Sequence, residues 1–144
     1  MSNLQKKTEA KLAEPKTLNE STILSGADIL AADKLRAVPV VTHEWKPGSQ
    51  VYVAELTADE RDELEQSWAE YKTARDEEDG IGFRAWCAAY CICDEKRNRT
   101  FIGRQVEAAE TIGKRRGKTT SRIFNTAARI NGLTKADIDE LEKN

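Results

Sequence analysis

A single histidine, three cysteines and no long apolar run set the first limits on this 144-residue chain. One histidine removes any His-pair chemistry, and no serine or cysteine sits in a recognisable nucleophile setting. No stretch approaches the roughly 18 apolar residues of a membrane span. The opening MSNLQKKTEAKLAEPK lacks the apolar centre of a secretory signal. An odd number of cysteines in such a chain does not make a disulfide framework, so the sequons at Asn19 and Asn98 carry no meaning. Charge of one sign is missing too: the net charge is −2, which argues against a protein built chiefly to hold nucleic acid. The expected class is a soluble cytoplasmic protein, with no residue pattern that calls for catalysis.

What is present is enough to build one core. Hydrophobic residues make up 39% and charged residues 33%, so solvated faces must absorb much of the charge. Residues 1–20 mix Lys, Glu and Ala without apolar periodicity and read as a disordered arm. Residues 21–144 read as a single domain. SGADIL (25–30) suggests a short helix or turn that docks Ile29 and Leu30. VPVV (38–41) and QVYVA (50–54) flank HEWKPGS, where Pro47 and Gly48 supply a turn, so a β-hairpin is expected. Pro39 confines the first strand to an edge or a late start. Thr57 and Glu60 have capping-box spacing and open a helix running to about Asp79, with Leu64, Trp68 and Tyr71 on one face. Helices are also expected over about 104–113 and 118–131, with Asn131-Gly132 as a stop, and a last one capped by Thr134. The fold class is therefore α+β, mainly α: a small hairpin packed with four or five helices.

Three motifs resemble chemical sites, and each has a plainer reading. RAWCAAYCIC (84–93) holds all three cysteines. Their C-x3-C-x-C spacing is no zinc pattern, and His43 sits in the hairpin loop. A helix puts Phe83, Trp86, Cys87, Tyr90 and Cys91 on one stripe, although a strand remains open for so short a run. Packed thiols behave as small hydrophobes, so the stretch reads as a buried wall. GKRRGKTT (113–120) imitates a phosphate loop, but only three residues separate its glycines and Ile112 stands where a glycine is needed. It reads as an exposed inter-helix turn. DEEDG (76–80) imitates a calcium loop, yet the twelfth position would be Trp86. No metal or cofactor is expected.

Charge is segregated along the chain. Residues 55–79 are strongly acidic, whereas 96–122 carry Lys96, Arg97, Arg99, Arg104, Lys114, Arg115, Arg116, Lys118 and Arg122. Either the two segments face each other, within the fold or between copies, or the basic one meets an acidic partner. Nucleic acid is the weaker choice of partner, because the acidic 55–79 segment would repel phosphate.

The order of elements resembles one family. SGADIL precedes a hairpin with Glu44-Trp45 and QVYV (50–53). ELTADERD (55–62), an apolar segment ending CDE (93–95), RTFI (99–102) and IFNTAARINGLT (123–134) follow, before an acidic last helix. Over residues 21–144 this is similar to the tail assembly chaperones of long-tailed, siphophage-type bacteriophages. The polar turn after the apolar segment is more basic here than that family's, and KRRGK (114–118) is unusual for it. The resemblance implies a non-enzymatic late protein of virion morphogenesis. It would bind and solubilise the tape-measure protein and help recruit tail-tube protein. It implies work in the host cytoplasm, absence from the mature virion, self-association, and a longer form made by ribosomal frameshifting, with LEKN (141–144) closing the short form. Candidate partner contacts are Trp45, Trp68, Lys114, Arg115, Arg116 and Lys118. Clients would meet an apolar patch around Trp45 or Trp68, rimmed by the acidic helix; for Trp68, the core is the favoured reading. The alternative function is a small nucleic-acid-associated regulator using the basic 96–122 segment.

Overall fold

A computed structural model describes residues 21–75 and 80–143. The arm expected over 1–20 lies outside the described residues, and the helix expected to run to about Asp79 ends instead at Ala74, where the backbone of Arg75 turns extended. The chain divides into two units, Met1–Asp33 and Lys34–Asn144. In the first, α1 (Gly26–Leu30) is closed by a capping box between Ser25 and Asp28. Of its apolar residues Ile29 is 67% and Leu30 87% exposed, and Ile23 and Leu24 before it are exposed as well. A helix of five residues offers too narrow a face to bury both.

The second unit is α+β and mainly helical. Strands β1 (Ala37–Val41) and β2 (Gln50–Ala54) form the expected antiparallel hairpin, with Val40 opposite Val51. A third short strand, β3 (Ile92–Cys93), pairs on the far side of β2, giving the order β1-β2-β3. Pro39 thus lies on an edge strand, where its missing N–H costs no central ladder bond.

Helix α2 (Ala58–Ala74) begins at Thr57, whose hydroxyl accepts the Glu60 amide while Glu60 reaches back to the Thr57 amide. The run 83–93 is both of the things its sequence allowed: α3 (Phe83–Cys91) passes directly into β3. One stripe was too narrow an expectation for α3, because every residue except Arg84 is buried. The alanines and cysteines explain how. Ala85, Ala88 and Ala89 let α4 (Gln105–Gly113) and α5 (Gly117–Ile130) approach closely, while Phe83, Trp86 and Tyr90 fill the space between. Trp68, Tyr71, Phe83, Trp86 and Phe124 form a continuous aromatic cluster with ring centroids 4.8–6.1 Å apart. Such edge and offset contacts contribute about 0.5–1.5 kcal/mol each beyond burial.

The last helix, α6 (Lys135–Glu142), is capped by Thr134 with Asp137. It closes over α2 through the Leu141 carbonyl, which accepts Trp68 Nε1 at 2.7 Å and Lys72 Nζ at 2.7 Å. Cys87, Cys91 and Cys93 are free and buried. Burial and the neighbouring Cys87 thiol push Cys91 well above its ordinary value, and burial raises Cys93 to about 11. Cys91 and Cys93 are thiols kept protonated in a wall.

Candidate functional site

A groove of about 520 Å³ with an apolar floor lies between the sheet and α4. Its floor is apolar and buried: Ile92, Cys93, Ala108 and Ile112, with Val51 and Phe101 half-buried beside them. Its rim is exposed: Gln50, Thr100, Arg104, Glu107, Thr111 and Arg115, with half-buried Trp45 against the last of these. Strand pleat places Val51 here. Helical spacing brings Ala108 and Ile112 to the same face of α4, one turn apart.

Trp45 is held at its end of the groove by the hairpin loop. The Thr42 amide donates to the Ser49 carbonyl at 2.9 Å and the Trp45 amide to the Thr42 carbonyl at 2.9 Å, closing the loop around Gly48 at φ +74°. A left-handed residue is cheap there only because it is glycine. The neighbouring Glu44 anchors the loop to α5: both carboxylate oxygens accept Arg122 guanidinium N–H groups at 2.8 Å, and one also accepts the Thr119 hydroxyl at 2.6 Å. The Arg122 guanidinium, then Thr119, holds the Glu44 carboxyl far below the usual carboxylate range. Arg122 also donates to the Val41 carbonyl. From the turn between α4 and α5, Arg115 lays its guanidinium 4.7 Å over the Trp45 ring. The Trp45 indole N–H is itself buried without a hydrogen-bond acceptor.

The two ends of the rim differ in charge. Arg104 is neutralised by Glu107 through two bonds of 3.0 and 2.9 Å. Arg115 has no carboxylate partner among the described residues; the exposed Lys114 and Arg116 share its turn and Lys118 follows at the start of α5, also without ion pairs among those residues. The turn is the exposed inter-helix connection that GKRRGKTT suggested, from the end of α4 at Gly113 to the start of α5 at Gly117.

Three of the six sequence candidates, Lys114, Arg115 and Arg116, therefore lie in one turn, with Lys118 just beyond it in the first turn of α5 and Trp45 against Arg115. Trp68 is elsewhere: it is 2% exposed in the aromatic cluster and offers no surface to a partner. The expected acidic rim is not found either, because no residue of α2 lines the groove. Much of that helix's charge is instead spent within the fold. Glu60 accepts Arg97 at 2.7 Å, and Glu63 accepts the Tyr90 hydroxyl at 2.9 Å and Arg99 at 3.4 Å. Burial would raise the Glu60 carboxyl, yet the Thr57 amide and Arg97 outweigh it and the shift is downward. Arg99 also stacks 3.5 Å from the Tyr90 ring centre.

No family model, curated protein or solved structure matches the chain.

Sequence reasoning missed Val51, Phe101, Ala108 and Ile112 as groove residues. Ile112 drew notice only as a failed glycine. No group of three or more His, Cys, Asp or Glu side chains among the described residues is placed to hold a metal ion. No described helix is long and apolar enough to cross a membrane.

Proposed function

We propose that the chain acts by binding a protein client, as a tail assembly chaperone that keeps the long helical tape-measure protein soluble and helps bring tail-tube subunits to it. The observation that carries this reading is the groove: an apolar floor open to solvent, fixed at one end by the Glu44–Arg122 anchor and framed by an unpaired basic turn. Its size suits the side chains of one client face, which makes each contact modest. Modest contacts repeated along a filament-like client add up through multivalency and still permit stepwise release when tube subunits arrive. The order of elements that resembles the phage chaperones supplies the choice of client.

Co-expression with the tape-measure protein, followed by affinity capture and a solubility comparison, tests the reading. The client is expected to become soluble and to co-purify with many copies of this chain. A client that stays insoluble and unbound, with both proteins expressed, removes the chaperone reading.

The exposed Lys114, Arg116 and Lys118 favour one second reading, contact with nucleic acid. Against it, Arg97, Arg99, Arg104 and Arg122 of the same basic stretch are already paired with Glu60, Glu63, Glu107 and Glu44. Retention on immobilised DNA that falls steeply with salt would support this second reading.

A further inference from the structure

We propose that the groove takes one face of an amphipathic helix whose apolar stripe is flanked by acidic side chains, with Arg115 as the charged anchor. This rests on the reading of the chain as a binder of a helical client and names the segment of the client it selects.

Size comes first. A ten-residue helix is about 15 Å long and 10–12 Å across, more than a groove of about 520 Å³ can swallow. The side chains of one helical face do fit, laid over Val51, Ile92, Phe101, Ala108 and Ile112. Ile102, next in the chain to the groove residue Phe101, is 69% exposed. A segment longer than the groove therefore finds more apolar contact past Phe101, which suits a helix better than a compact ligand.

Charge decides the flank. At the Arg104 end the groove is balanced by Glu107. At the other end Arg115 is held in place by the Trp45 ring and by a 3.4 Å bond to the Trp45 carbonyl, and has no carboxylate partner among the described residues. These contacts fix the guanidinium plane while leaving its other N–H donors for a ligand, and a fixed fork loses little entropy when it meets a carboxylate. Lys114 and Arg116 in the same turn, and Lys118 at the start of α5, extend the positive field outward. A helix with lysine flanks meets repulsion there; one with glutamate flanks meets attraction.

The test uses the full chain and two labelled synthetic helical peptides. They share one leucine stripe at i, i+3, i+4, i+7 spacing and differ only in glutamate or lysine flanks. Anisotropy titrations at low salt are expected to show saturable binding of the glutamate peptide and at least tenfold weaker binding of the lysine peptide. Arg115→Glu should reverse the preference. Thr111→Trp, which fills the groove from an exposed position, should abolish binding of both, and circular dichroism should show both variants folded. Equal affinity for the two peptides overturns the proposal, as does glutamate-peptide binding that neither variant changes. If the protein self-associates and Thr111→Trp returns it to monomer while no peptide competes, the occupant is a second copy and the proposal falls. Failure with peptides alongside success in co-expression removes this site and leaves the chaperone reading standing. Peptide binding without client solubilisation does the reverse.

Discussion

At Glu44 one carboxylate joins the hairpin loop to α5, and its environment makes a pH-dependent test possible. Its folded-state pKa is depressed by the Arg122 guanidinium and the Thr119 hydroxyl. A depressed carboxyl contributes stability that is present above its unfolded value of about 4.3 and is lost as pH falls below that toward the folded value. Glu44→Gln is therefore expected to lower Tm at pH 7, and the gap between variant and parent should narrow by pH 3. Thermal unfolding of both proteins at the two pH values reads this directly. An unchanged gap would mean that the charge on Glu44 contributes nothing. Arg97 is a second residue whose role goes beyond its charge. It is the only non-glycine with positive φ among the described residues, at 69°. From there its guanidinium reaches both the Glu55 carbonyl and Glu60, at 2.9 and 2.7 Å. Those bonds offset a backbone conformation that costs a non-glycine residue about 1–2 kcal/mol.

Among the elements, α3 is the one that decides the packing. Ala88 is fully buried between neighbouring helices. Ala88→Leu is expected to destabilise by about 1–3 kcal/mol through overpacking, whereas Ala69→Leu on the exposed side of α2 should stay within about 0.5 kcal/mol. Urea unfolding of the two variants separates them, and equal effects would mean that α3 is not enclosed. The local elements were legible because their signals are local. Capping boxes at Thr57 and Thr134, the Pro47-Gly48 turn and the Asn131-Gly132 stop are each written within a few residues. What the sequence hides is who meets whom. Asn131 reads as a helix stop, yet its side chain accepts the Leu56 amide at 2.7 Å and donates to the Ala54 and Ala127 carbonyls. That staple joins residues 75 apart, and no window on the sequence reveals it. The groove was hidden for the same reason, since its floor comes from β2, β3, the turn after β3 and α4. Trp45 and the basic turn could be named singly, but their stacking could not.

For the whole molecule, every residue of the hydrophobic core lies at or beyond Val40. A chain beginning at Lys34 is expected to keep its Tm within about 4 °C of the full protein, less than about 1 kcal/mol for a domain of this size. Calorimetry of the two chains checks it, and a larger loss would give the first unit a part in folding. The order in which the core is assembled also bears on how the protein is made. RAWCAAYCIC needs α4 and α5 to cover it, Leu56 needs Asn131, and Trp68 needs the carbonyl of Leu141. Residues emerge from the ribosome at about 5–20 per second. The most apolar decapeptide is therefore synthesised well before the residues that enclose it, and the bonds from Trp68 and Lys72 to the Leu141 carbonyl wait for the final turn of α6. Folding of this domain is completed only once Leu141 has emerged, and a polypeptide truncated before residue 105 would present that decapeptide as a bare, adhesive surface.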